Sequence, residues 1–400
     1  MKAVVYGAGN IGRGFIGQIF FRSAYELTFI DVDDTTIFEL NRERRYPIRI
    51  LDEDRTEDSW VEGVRAINGK NTEDAATAIA NADIMASAVG VRALPFIAPV
   101  IAAGLKKRFA QNQKPLNIII CENLINADKT LEGLIKKHLT KDEQEIFDKS
   151  IGLVEASIGR MVPLQTAEMQ SGNPLRICVE EYGLLPVAKA AFKGEIPPLE
   201  GVIPCNNFDF YIKRKLFIHN LGHGICAYLG LIRGNTYIYE AAANGGILFI
   251  TQNAMLESAL ALSNEFCVSL ADIHYHIRDL LRRFSNRALG DTCARVAADT
   301  PRKLGKHDRF IGSFCNCLKE GINPAFISVG CAAALYRHIG EKELPQSRDT
   351  AIAALKEFSG LDETAAEKIL FFHSLIASSQ NESFNNTVEK LIKSASKMAL

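Results

Sequence analysis

One short segment limits the fold more than any other. Gly7-Ala8-Gly9-Asn10-Ile11-Gly12 directly follows the apolar run Lys2–Tyr6 and directly precedes a helical run through Phe15, Ile16, Ile19 and Phe20. Strand, glycine turn and helix in that order open a βαβ unit. Each glycine has its own physical task there. The first permits the tight turn, the second lets backbone approach a pyrophosphate, and the third lets the helix pack on the strand. The helix N-terminus adds free N–H groups and the positive end of a dipole. The next strand ends at Asp31, about 20 residues further on, where a carboxylate accepts hydrogen bonds from an adenosine ribose.

These features predict a dinucleotide site, and Asp31-Val32-Asp33-Asp34 favours NAD over NADP. An extra 2′-phosphate would meet like charge there and find no Arg or Lys. The expected cofactor residues are Gly7, Ala8, Gly9, Asn10, Ile11, Gly12 and Asp31, joined by Ala88, Val89 and Gly90 at the end of a later strand. An ordinary strand-to-helix turn is the alternative for that last group.

Further strands are expected at Leu27–Asp31, Ile84–Ala88, Asn117–Ile120 and Ile151–Val154, with helical stretches between them. Such alternation implies an α/β fold with a Rossmann-type, doubly wound parallel sheet. One more strand candidate, Leu175–Glu181, precedes a stretch rich in Gly and Pro, from Gly183 to Pro204. This marks the expected junction between an NAD-binding domain, 1–203, and a mainly α-helical C-terminal domain, 204–400, with runs such as Ala254–Ser263, Ala271–Phe284 and Ala351–Phe358.

The 400 residues carry 46 Lys plus Arg against 47 Asp plus Glu, a net charge of −1, which gives no general field for nucleic acid or an anionic membrane. The longest mostly apolar stretch, Ala93–Leu105, contains Pro95 and Pro99 and falls short of the ~20 residues that span a bilayer. It reads as a buried helix. The N-terminal run lacks the shape of a signal h-region, and nine scattered cysteines without a C-x-x-C pair suit reduced thiols in a cytoplasm. The expected partners are a small-molecule substrate and copies of the chain, as a monomer or small homo-oligomer.

Early in the helical half, Lys215-Leu216-Phe217-Ile218-His219-Asn220-Leu221-Gly222-His223 sets polar groups into an apolar segment. On a regular helix Asn220 lies about 140° and His223 about 80° from Lys215, one broad face. Oxidising an alcohol with NAD needs a base for the hydroxyl proton and donors for the developing alkoxide. Lys215 suits the first task; Asn220 and His223 suit the second. A lysine serving near pH 7–8 has to be pulled down from about 10.4, by burial or by cations such as Lys213 and Arg214. The bland alternative is an amphipathic helix with a snorkelling lysine. Tyr211-x-x-x-Lys215 also has the spacing of short-chain dehydrogenases, but their glycine spacing differs and they lack a long helical half.

The chain resembles the polyol-specific long-chain dehydrogenases. The motifs that carry the resemblance are Gly7 through Gly17, Cys121-Glu122-Asn123, Arg160-Met161-Val162-Pro163, Lys215-x4-Asn220-x2-His223, Arg302-Lys303-Leu304 with Asp308-Arg309, and Ser359-Gly360-Leu361-Asp362. The resemblance implies a metal-independent NAD enzyme with Lys215 as general base, Asn123 and Asn220 on the alkoxide, and His223 positioning substrate. It implies interconversion of a polyol phosphate and a ketose phosphate, mannitol 1-phosphate and fructose 6-phosphate. A dehydrogenase of a free polyol or a hexonate is the alternative, and an NAD-sensing regulator without turnover is a reading from another class.

A sugar phosphate needs cations, and Arg160, Arg302, Lys303 and Arg309 are the expected contacts. A solvated basic loop is the alternative for the last three. Two departures from the family pattern remove a carboxylate each: Gly159 stands where relatives usually have Asp, and Lys213 where they often have Glu. The extra base at 213 is expected to depress the Lys215 pKa or favour a more anionic substrate. His274 and His276, beside Asp272, are the best metal-like group, but they point ~200° apart on a helix.

Overall fold

A computed structural model describes residues 1–52, 56–111 and 114–399. The chain divides into two compact units, Met1–Phe208 and Asp209–Leu400.

In the first unit, β1 (Lys2–Tyr6), β2 (Glu26–Asp31), β3 (Arg45–Leu51), β4 (Thr56–Glu62), β5 (Arg65–Asn68), β6 (Ile84–Ser87), β7 (Leu116–Ile120) and β8 (Ile151–Glu155) precede three short strands. These are β9 (Ile177–Val179), β10 (Leu185–Ala188) and β11 (Val202–Cys205). The main sheet is parallel throughout, in the order β5-β2-β1-β6-β7-β8. The order reverses between β1 and β6, and the carboxyl ends of strands flanking such a point leave a crevice for ligand. One face of the sheet packs Ala3, Val5, Phe29 and Ala86 with Phe15, Ile19 and Phe20, and the other packs Val4, Ile30 and Met85 with Ile79, Ile97 and Ile101. Each buried Val, Ile, Met or Phe among these contributes roughly 1.5–3 kcal/mol.

The doubly wound sheet and the helical second half agree with the sequence pattern. The candidate strand Leu175–Glu181 is shorter and lies elsewhere, in a second sheet of order β4-β3-β9. That sheet and β5 were not expected. β3 alternates buried Tyr46 and Ile48 with Arg45 and Arg49, but Pro47 and the charged β4 hide the strand signal. Pro47 lies outside Ile48–Ile50, the stretch that pairs with β9, so the ladder there loses no donor. The Gly- and Pro-rich stretch is also more ordered than expected, since β10 and β11 pair in parallel within it.

The second unit is helical. Gly245–Phe266, Leu270–Phe284 and Arg348–Ser359 contain the three anticipated runs, and Ala325–Glu341 is buried along most of its length. Leu94–Gln111, in the first unit, is the anticipated apolar helix, with Pro99 inside it. No helix among the described residues is long and apolar enough to cross a membrane. All nine cysteines are free thiols, and Cys267 alone among them is exposed.

Candidate active site

In the first unit the glycines differ in what they tolerate. Gly7 has φ +102°, and a Cβ there would lie 2.4 Å from the Ala88 carbonyl oxygen. A Cβ on Gly12 would come within 1.9 Å of the Gly7 carbonyl oxygen. Gly9 has nothing within 4 Å, so its exposed backbone is open to a ligand. Asn10 and Ile11 are half-buried beside it, and Ala8 is buried.

Asp31 braces this loop. Its Oδ2 accepts from the Ala8 N–H at 2.6 Å, and its Oδ1 accepts from Val32 and Asp33 N–H at 2.7 and 3.0 Å. Asp33 then caps the following helix by accepting from the Thr36 N–H at 2.7 Å. Arg13 is a participant that glycine spacing does not disclose. It is buried, and its Nε donates to the Ala8 carbonyl at 2.6 Å while Nη1 donates to the Leu175 carbonyl at 2.7 Å. The helix it belongs to opens with a π-turn, Gly12–Ile16.

Ala88, Val89 and Gly90 form the turn after β6, with the Ala88 N–H donating to the Tyr6 carbonyl at 2.8 Å. Glu122 accepts from Val89 and Gly90 N–H at 3.0 and 2.8 Å. Asn123 follows it, exposed at the end of β7. Arg160 does not stand free for a phosphate. Its buried guanidinium donates from Nε to the Glu180 carbonyl and from Nη1 to the Gly14 carbonyl and Gln18 Oε1, at 2.8, 3.1 and 2.7 Å. It acts as a strut between the glycine-loop helix and the second sheet. Gly159 packs on Tyr182, whose Cε1 would lie 3.1 Å from an added Cβ.

In the second unit the regular helix assumed for Lys215–His223 is corrected. Lys215–Asn220 is a π-turn, set between the helix Phe208–Arg214 and the helix Leu221–Arg233. A ring one residue wider advances only about 80–85° per residue. Asn220 therefore comes to about 40–65° from Lys215, and His223 returns to within roughly 20° of it. The three side chains share a narrower face than a regular helix allows, and all three are half-buried.

His223 is held by groups far off in sequence. Its ring stacks on Phe284 at 5.0 Å, and Nε2 stands 3.1 Å from Asp291 Oδ2, an ion-pair distance that is not aligned as a straight hydrogen bond. Burial pushes the Asp291 carboxyl up, but His223 and Arg295 outweigh it and hold it at about 2. His219 and His276 were not expected here. Burial first, and then Arg283 and other nearby cations, hold His219 well below the imidazole range. Burial, Arg214 and Arg283 bring His276 down to about 3.

Lys213 has a carboxylate partner of its own. Its ammonium lies 2.5 Å from Glu265 Oε1 and over the Phe266 ring. Glu265 supplies from another helix the acid that position 213 lacks.

The basic segment packs on the helix Leu221–Arg233: a Cβ on Gly224 would meet the Phe310 ring at 2.9 Å and Arg309 Cδ at 3.8 Å. Arg302 pairs with Asp299 and Asp308 at 2.6 and 2.8 Å, and Arg309 Nε donates to Asp308 Oδ1 at 2.9 Å. Arg309 is buried within this ion network, while Arg302 is exposed. Lys303 is 4% exposed and makes no ion pair among the described residues; burial, Arg309 and Arg302 bring it down to about 8. Among the described residues, no three His, Cys, Asp or Glu side chains are grouped to hold a metal.

Two family models match the chain, the mannitol dehydrogenase Rossmann domain over residues 1–201 and the mannitol dehydrogenase C-terminal domain over residues 207–394. A mannitol-1-phosphate 5-dehydrogenase of Brevibacillus brevis is 38% identical over 360 residues, covering 90% of this chain and 91% of the relative. The enzyme of the same name from Geobacillus thermodenitrificans is 34% identical over 372 residues, covering 91% and 95%. Among solved structures, Pseudomonas fluorescens mannitol 2-dehydrogenase, in complex with NAD and D-mannitol, matches with a TM-score of 0.76 at 14% identity, covering 98% of this chain and 94% of that one. A substrate-free D-sorbitol dehydrogenase matches at 0.78 and 14%, covering 97% and 95%. The chain belongs to the mannitol dehydrogenase family.

Proposed function

We propose that the chain is an NAD-dependent oxidoreductase that interconverts mannitol 1-phosphate and fructose 6-phosphate in the cytoplasm. The observation that carries this reading is the relationship, over nine-tenths of the chain, to two mannitol-1-phosphate 5-dehydrogenases. The residues of the glycine loop fit the cofactor: Gly9 is open where a pyrophosphate needs close approach, and Asp31 lies at the end of β2 for a ribose.

NAD supplies the hydride acceptor. Lys215 takes the proton from the substrate hydroxyl, and Asn220 donates to the oxygen as charge develops on it; Asn123 is the first unit's candidate for the same task. Asp291 orients His223. With Nε2 turned to that carboxylate, Nδ1 is the ring nitrogen left for a substrate hydroxyl.

Lys303, with Arg309 and Arg302, is the proposed phosphate group. A buried ammonium beside two guanidiniums, without an ion pair of its own among the described residues, gains from an incoming dianion. Arg160 is not assigned to the phosphate in this reading, because its Nε and Nη1 already donate to Glu180, Gly14 and Gln18.

The test follows NADH absorbance on adding fructose 6-phosphate, with free fructose in parallel and NADPH as cofactor control. Oxidation of NADH by the phosphorylated ketose alone is the expected result. Turnover of fructose or a keto-hexonate without turnover of fructose 6-phosphate would keep the dehydrogenase chemistry and overturn the phosphate assignment.

A further inference from the structure

Glu122 lies between two groups with proposed roles, the Ala88–Gly90 turn and Asn123, and no role has been given to it. Its side chain is 7% exposed. The two carboxylate oxygens are used separately: Oε1 accepts from the Val89 N–H at 3.0 Å and Oε2 from the Gly90 N–H at 2.8 Å. Gly90 has φ +87°, so the turn is in a conformation that its own backbone does not favour over others.

The same turn presses on the glycine loop. A Cβ at Gly7 would meet the Ala88 carbonyl oxygen at 2.4 Å and Val89 Cγ1 at 3.2 Å. The Cys121 N–H also donates to the Ser87 carbonyl at 2.9 Å, so the ends of β6 and β7 are tied just before Glu122. Burial pushes the carboxyl up, and the two backbone N–H groups oppose that shift. Holding an acid in such a place costs free energy unless its charge has work to do on those N–H groups.

We infer that Glu122 is a positioning residue for cofactor binding, its carboxylate clamping Val89 and Gly90 so that the turn keeps its place against the glycine loop. This rests on the NAD reading of that loop. Only a carboxylate can accept on both oxygens at once. An amide at this position must turn its NH2 toward one of the two N–H donors, which breaks one bond and sets donor against donor.

The experiment measures NADH affinity by fluorescence titration of the full chain, with the KM for fructose 6-phosphate and thermal unfolding on the same samples. For Glu122→Gln the dissociation constant is expected to rise about tenfold, equivalent to ~1.4 kcal/mol, while the KM for the ketose phosphate stays within about twofold. Glu122→Asp keeps the charge on a shorter arm and should lose affinity by a smaller factor, about threefold. If Glu122→Gln does not fold, Glu122→Asp decides. Affinity within twofold of the parent in the folded variants overturns the inference, as does an equal rise in both constants. Absence of NADH binding by the unsubstituted chain would instead overturn the cofactor reading itself.

Discussion

The glycine loop of the first unit and the Lys215–His223 segment of the second each lead into a helix through a π-turn, over Gly12–Ile16 and over Lys215–Asn220. In the first, all five residues of the turn are buried, and the proposed cofactor contacts lie in the loop before it. In the second, the proposed groups are side chains, and the wide turn decides where they point. Backbone chemistry needs only residues small enough to let the chain adopt its path. Side-chain chemistry needs a particular rotation about the helix and particular neighbours, and those neighbours are brought in from other helices.

Substitution of Lys215 by Met should break the second site while leaving its fold intact. Turnover of NADH with fructose 6-phosphate is expected to fall by about 10²–10⁴, the usual contribution of a general base. A loss under tenfold would remove Lys215 from that role. The first site should separate stability from binding instead. Gly12→Ala drives a Cβ into the Gly7 carbonyl and should cost roughly 1–3 kcal/mol or more in denaturant unfolding. Gly9→Ala meets no protein atom and should leave stability within about 0.5 kcal/mol, yet weaken NADH binding. Equal effects at the two glycines would erase the distinction.

Acid should act on the second unit through its buried rings. The folded-state pKa of His276, about 3, lies below the imidazole value of 6.5, so the fold favours the neutral ring. The resulting stability is present above pH 6.5 and is lost as pH falls toward 3. The Asp291 carboxyl, at about 2, adds a loss between about pH 4 and pH 2. Thermal unfolding between pH 7 and 4 should show a decline on the order of 2 kcal/mol that His276→Gln reduces. The smallest effect is expected at Lys213. Because Glu265 already neutralises it, Lys213→Met should change turnover by less than about threefold. A larger change, read from the same NADH assay, would show that its charge reaches Lys215.

Much of the architecture was legible in the residues. The glycine loop, the acid at 31, five parallel strands and the helical second half all leave strong local periodicity or composition. In the sheet β4-β3-β9, β9 was visible as a strand but not its place, and β3 and β4 were hidden because Pro47 falls within one and the other is charged, so their partners supply what local pattern does not. In the second site, Lys215, Asn220 and His223 were visible as polar groups in an apolar run. Asp291 and Phe284 around His223, His276, and Glu265 under Lys213 were not, because sequence spacing is silent on which distant side chains meet. The partners of Arg160 and Lys213 were hidden for the same reason: a free cation and a paired one look alike in a sequence.

The order of strand, glycine turn, strand-end acid and helical half is therefore a property of the chain read alone, since backbone sterics and hydrophobic periodicity act between near neighbours. Which cations are spent on carboxylates, which histidines are kept neutral and which face Lys215 shares with His223 were decided by tertiary packing. Burial and Coulomb terms depend on distance in space, and folding sets those distances without regard to distance along the chain.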